Sequence, residues 1–117
     1  IFLRPSRILS KQEAEEKYKL PISKFVMWKG AKLHYTDEGT GVPLMMVHGY
    51  GGSHRNFDRI AELMKDDFRI IRIDLPGFGL SDFPKLKDEK NADLIQLYRN
   101  YMTYILNELK LDSVYMM

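Results

Sequence analysis

The sequence contains no cysteine. That excludes a disulfide framework, a thiolate zinc or iron–sulfur site and a Cys nucleophile, and it leaves the redox compartment open. No apolar run approaches the roughly 18 residues that a membrane span needs. Charge of one sign is lacking too. The 18 Lys and Arg face 16 Asp and Glu, and a net +2 is too little to argue for nucleic acid. There is no internal repeat and no low-complexity segment. What is there is 117 residues, 44% hydrophobic and 29% charged, the mix of one soluble globular domain rather than two.

The two ends stand out. The chain begins Ile1-Phe2-Leu3 and stops in Val114-Tyr115-Met116-Met117, which reads as an unfinished strand, so truncation at both ends is expected. Residues 1–24 carry Arg4, Arg7, Lys11, Lys17, Lys19 and Lys24 against Glu13, Glu15 and Glu16, a net +3, whereas the rest of the chain sums to −1. The expected organisation is therefore a basic arm over residues 1–24 and an α/β domain over 25–117. Such an arm is either a solvated leader or a juxtamembrane segment whose membrane anchor lies upstream of Ile1. Three apolar residues favour the leader. Within the arm, Ser10-Lys11-Gln12-Glu13 fits a capping box, and a short helix should run to about Tyr18 before Pro21.

Beyond the arm, strands alternate with helices. Phe25 to Trp28 and Lys32 to Thr36, joined by Lys29-Gly30, predict an antiparallel hairpin. Leu44-Met45-Met46-Val47 is a continuous apolar run, as in a strand buried on both faces. A helix from about Ser53 to Lys65 follows, with Phe57, Ile60, Ala61 and Met64 on one face. Phe68 to Ile73 is a strand ending at Asp74. A second helix, from about Ala92 to Lys110, carries the stripe Leu94, Leu97, Tyr98, Tyr101 and Ile105. A fifth strand begins at Val114. This order predicts an α/β fold, with parallel strands behind a hairpin and helices on both sheet faces.

In such a sheet, function concentrates at the carboxyl ends of the parallel strands. Two loops leave those ends. The first, His48-Gly49-Tyr50-Gly51-Gly52-Ser53, has glycines that let the backbone turn sharply and point N–H groups into a cleft, ahead of a helix N-terminus suited to negative charge. The second, Asp74-Leu75-Pro76-Gly77-Phe78-Gly79-Leu80-Ser81-Asp82, has a turn forced by Pro76 and Gly77, with Asp74 placed to hold the turn's N–H groups.

At these residues the chain resembles the α/β-hydrolase fold enzymes. Their apolar strand followed by His-Gly-x is similar to Met46-Val47-His48-Gly49-Tyr50. Their Asp-x-x-Gly-x-Gly-x-Ser is similar to Asp74 through Ser81. The preceding hairpin and the one helix and one strand between the loops match as well, so the resemblance covers residues 25–117. It implies an esterase- or lipase-like serine hydrolase acting on ester or related acyl bonds of a small molecule, with no cofactor and no metal. It implies that the backbone N–H of Tyr50 is one donor of an oxyanion hole, that the Tyr50 side chain faces an acyl or leaving-group pocket, and that Gly51 and Gly52 keep the loop close to substrate. His48 and Asp74 are then braces of the loops rather than acid or base.

The family's nucleophile elbow, Gly-x-Ser-x-Gly, follows the fifth strand. None of Ser6, Ser10, Ser23, Ser53, Ser81 and Ser113 lies in such a motif, so the 117 residues alone should be inactive. An Asp nucleophile would instead mean a haloalkane dehalogenase or an epoxide hydrolase. Gly51 stands where epoxide hydrolases tend to have Pro, and no Trp or Asn follows His48-Gly49 to hold halide. A non-catalytic ligand- or partner-binding member of the fold is the third reading.

Other patterns weigh less. Gly49-Tyr50-Gly51-Gly52-Ser53-His54 has His54 where a dinucleotide fingerprint needs its third glycine. His34, His48 and His54 lack metal-ligand spacing. Ser53, His54 and Asp58 crowd one helix start and cannot relay a proton as a triad. Tyr98, Tyr101 and Tyr104 read as helix packing.

Overall fold

In a computed structural model, residues 8–117 are described, so Ile1-Phe2-Leu3, Arg4 and Arg7 of the basic arm lie outside the described residues. Ser10 caps the first helix, α1 (Lys11–Tyr18). Its hydroxyl accepts from the Glu13 N–H, and the Glu13 carboxylate accepts from the Ser10 N–H, the reciprocal pair that the sequence predicts. α1 buries no residue of its own.

The hairpin follows as β1 (Ser23–Trp28) and β2 (Ala31–Glu38), paired antiparallel with Trp28 opposite Ala31. Lys29 and Gly30 both have positive φ, 50° and 75°, the two-residue turn whose twist suits a hairpin. β3 (Val42–Val47) and β4 (Phe68–Ile73) run parallel to each other. The short β5 (Tyr115–Met116) lies parallel to β3 on its other side. The sheet order is β1-β2-β4-β3-β5, so β3 sits between two parallel neighbours.

Side chains alternate across this sheet with period two. On one face Leu33, Tyr35, Met45, Ile71 and Ile73 pack with Tyr101 and Ile105 of α3 (Leu94–Glu108). On the other, Leu44, Met46 and Ile70 pack under Ala61 of α2 (Asp58–Met64), with Phe57, Ile60 and Met64 against them. Coverage on both faces is why β3 reads as an unbroken apolar run.

Two expectations need correction. The helix expected from Ser53 opens instead as a 3₁₀ turn (His54–Phe57), and only Asp58–Met64 is α-helical. The reason is a tertiary contact: the His54 carbonyl is taken by Arg72 Nη1 of β4 at 3.2 Å, and the Asp58 N–H bonds the Arg55 carbonyl. In α3, Leu94 does not belong to the buried stripe. It is the first helical residue after the Asp93 N-cap and is 45% exposed, while Leu97, Tyr101 and Ile105 are buried. Among the described residues no helix is long and apolar enough to cross a membrane.

Candidate active site at the carboxyl ends of the strands

β3 delivers His48 into the first loop, and β4 delivers Asp74 into the second. The His48 imidazole joins them. Its Nε2 accepts the Leu75 N–H at 3.1 Å, so Nδ1 carries the proton and donates to the Gly49 carbonyl at 2.7 Å. Both ring nitrogens are thus committed, and protonating Nε2 would break the link between the loops. His48 is only 4% exposed.

The Gly49 carbonyl accepts a second bond, from the Gly52 N–H at 3.0 Å. With Gly51 at φ +74°, Gly49 to Gly52 form a type II turn, in which the third position needs positive φ. The Gly49–Tyr50 peptide is trans and planar, so its N–H points opposite to its carbonyl. Two bonds hold that carbonyl inward. The Tyr50 N–H is therefore turned outward, and it has no protein acceptor among the described residues. The Tyr50 side chain is 100% exposed, its ring 5.8 Å from that of Phe78. One cavity, about 630 Å³, lies between α1 and Gly79–Asp82, and another of about 330 Å³ also borders α1; Tyr50 lines neither.

The second loop is bonded much more densely. Phe78 N–H donates to the Leu75 carbonyl, Ser81 N–H to that of Phe78, and Gly77 N–H to that of Asp82. The Ser81 hydroxyl donates to the Asp74 carbonyl at 2.7 Å and accepts from the His34 N–H at 2.9 Å. At the centre is the fully buried Asp74 carboxylate. It accepts from His34 Nδ1 at 2.9 Å, His54 Nδ1 at 2.8 Å, the His54 N–H at 2.7 Å and the Leu80 N–H at 2.9 Å. Burial pushes this carboxyl up, but the bonds from His34, His54 and Leu80 outweigh it and hold the group well below the usual carboxylate range. Gly79 makes room for the arrangement: a Cβ there would lie 2.3 Å from the Asp74 carboxyl carbon.

Sequence spacing did not reveal that His34, His54 and Asp74 meet. The readable signal was strand register. Tyr35 pairs with Ile73 across β2 and β4, so His34 falls opposite Asp74, with the Asp74 N–H on its carbonyl at 3.1 Å. The three side chains offer ligand atoms within 4.8 Å of one another, an N, N, O set that a divalent cation could use. Here both Nδ1 protons are spent on the carboxylate, and Ser23 Oγ bonds His34 Nε2 at 2.7 Å. His54 Nε2 is buried without a partner among the described residues. Beside this hub, buried Arg72 binds Asp58 at 2.7 Å and Glu38 at 3.1 Å, so Asp58 serves an ion pair and not His54. Tyr101 is buried beneath Trp28, and the Tyr104 hydroxyl donates to the Met27 carbonyl at 3.3 Å.

The family model for the alpha/beta hydrolase fold matches residues 42–117. Lipase 3 of Moraxella sp. (strain TA144) is 37% identical over 79 residues, 66% of this chain and 25% of that protein. Haloalkane dehalogenase 2 of Mycobacterium bovis is 40% identical over 53 residues, 45% of this chain and 18% of that protein. An alpha/beta hydrolase fold protein from Burkholderia ambifaria superposes with a TM-score of 0.70 at 26% identity, over 83% of this chain and 34% of its own. The chain thus spans about a quarter of the curated lipase it matches.

Proposed function

This chain belongs to the α/β-hydrolase fold family, and on that premise we propose that it supplies the oxyanion side of a hydrolase active site acting on ester or related acyl bonds. The observation that carries the reading is the locked Gly49–Tyr50 peptide. Its carbonyl is held by His48 and Gly52, which leaves the Tyr50 N–H turned outward at the carboxyl end of β3. A donor fixed before the reaction costs no reorganisation when negative charge develops on a carbonyl oxygen, and losing one such donor costs about 10²–10³ in rate.

The partners of this donor follow from the sheet. Met117 is bonded to β3 on both sides, its N–H to the Met45 carbonyl and its carbonyl to the Val47 N–H, both at 2.9 Å. A nucleophile elbow directly after β5 would therefore rise beside the Tyr50 turn. No Gly-x-Ser-x-Gly occurs in the 117 residues, so turnover is expected of the protein that carries the elbow and not of these residues alone. His48 acts as a brace, because both of its nitrogens are used in holding the loops together.

The stretch that is 40% identical to a haloalkane dehalogenase favours a second reading, in which an Asp takes the place of the Ser nucleophile. One experiment separates the two. The reading frame is sequenced past Met117, and the protein carrying the elbow is treated with a fluorophosphonate probe and assayed on p-nitrophenyl esters. Labelling of a Ser in Gly-x-Ser-x-Gly, with ester turnover, is the expected result. An Asp at that position with no labelling moves the assignment to the second reading, and neither residue there ends the enzyme proposal.

A further inference from the structure

The His48 clasp is covered by one side chain from the other loop. The Phe78 ring packs edge-on against the His48 ring at 5.4 Å and 64°, and against Tyr50 at 5.8 Å and 73°. The Tyr50 contact buries almost nothing, since that side chain keeps all of its exposure. The His48 contact matters more, because His48 is buried and carries one of the two bonds that orient the Gly49–Tyr50 peptide, together with the bond that ties it to Leu75.

Phe78 is itself well fixed. Its N–H donates to the Leu75 carbonyl and its carbonyl accepts from Ser81, within the loop that Asp74 anchors, and its ring packs on the cluster that includes Leu75 and Tyr101. A water reaching His48 would compete for Nε2 and for the Gly49 carbonyl, and hydrogen bonds weaken when their groups have water as an alternative partner.

We propose that Phe78 is a positioning residue: it shields the His48 clasp and so transmits the rigidity of the second loop to the Tyr50 N–H. The kinetic part of this rests on the hydrolase reading above, and the structural part does not. Two amides report the clasp directly, Leu75, bonded to His48 Nε2, and Gly52, bonded to the Gly49 carbonyl.

The test is amide hydrogen exchange by NMR on the intact protein and on Phe78→Ala. Phe78→Leu serves as the rescue, because it keeps apolar cover over His48. Losing an aromatic contact of this kind should speed exchange at Leu75 and Gly52 by roughly three- to tenfold. The β3–β4 ladder should be unchanged, and Phe78→Leu should recover much of the protection. Unchanged exchange at Leu75 and Gly52 overturns the proposal. So does a uniform rise across the sheet, which would mean simple destabilisation. In the protein carrying the elbow, Phe78→Ala should lower kcat by roughly tenfold with KM nearly constant. A KM effect alone would instead make Phe78 a substrate contact and overturn the positioning role. If exchange responds as expected and the parent hydrolyses nothing, the hydrolase reading falls while the role of Phe78 stands.

Discussion

The two loops at the carboxyl end of the sheet are built in opposite ways. The loop from Asp74 to Asp82 closes on a buried carboxylate with four donors and on a buried serine that ties it to β2. The loop from His48 to Ser53 is mostly exposed and is fixed by one imidazole and one turn bond. On the proposed function, each suits a different task. A frame has to survive thermal motion, so it buries its polar groups and satisfies them. A donor meant for a substrate atom has to be left unsatisfied, which only an exposed loop can do without a large penalty.

The largest expected effect comes from removing the frame. Asp74→Ala strands two imidazole N–H groups and two backbone N–H groups in the interior, and loss of one partner of a buried charged network costs about 3–5 kcal/mol. Chemical denaturation of Asp74→Ala should show that loss, with exchange rising at His54, directly after the first loop, and at Leu80 in the second, because both lose the same acceptor. A change under about 1 kcal/mol would mean that Asp74 does not carry the comparison.

Acid should act on the same group more gradually. The folded-state pKa of Asp74 is depressed, so the unfolded state binds the proton more tightly. The stabilisation is complete above the unfolded carboxyl value of about 4 and is lost as pH falls below it toward the folded-state value. Melting temperature should therefore fall more steeply below about pH 4 in the native protein than in Asp74→Asn. Parallel acid profiles would assign the acid sensitivity to other carboxylates.

His48→Ala should sharpen the contrast. It removes one bond within the first loop, to the Gly49 carbonyl, and the bond from the Leu75 N–H that joins the two loops, at a cost of about 1–3 kcal/mol. Exchange should rise at Gly52 and Leu75 and stay low at Leu80 and Ser81, and equal loosening of both loops would mean that they are held as one unit.

Much of this was legible in the residues. The capping box at Ser10, the hairpin around Lys29-Gly30, the doubly buried run at Leu44 and the strand ending at Asp74 are set by local chemistry, and each is present in the fold. Local rules failed where partners are remote in sequence. His34 and His54 look unrelated to Asp74 until the sheet order sets β2 beside β4 rather than beside β3. The 3₁₀ turn at His54 depends on Arg72, which arrives only with β4. Leu94 fits the helical stripe by spacing, but as the first helical residue it stays exposed. Of the candidate site, the sequence motifs located Tyr50, while the orientation of its N–H depends on the His48 tautomer and could not be read from spacing.

The proposed chemistry rests on one backbone N–H, and proline can delete it. Tyr50 occupies the second position of a type II turn, where Pro is favoured, so Tyr50→Pro should keep the turn and remove the donor, while Tyr50→Ala removes only the exposed ring. Stability should move by no more than about 0.5 kcal/mol in Tyr50→Ala. The decisive measurement is kcat for the two variants in the protein that carries the nucleophile elbow. A loss of about 10²–10³ is expected for Tyr50→Pro, with little change for Tyr50→Ala. Equal rates in the two variants, with the turn intact by NMR, would contradict it.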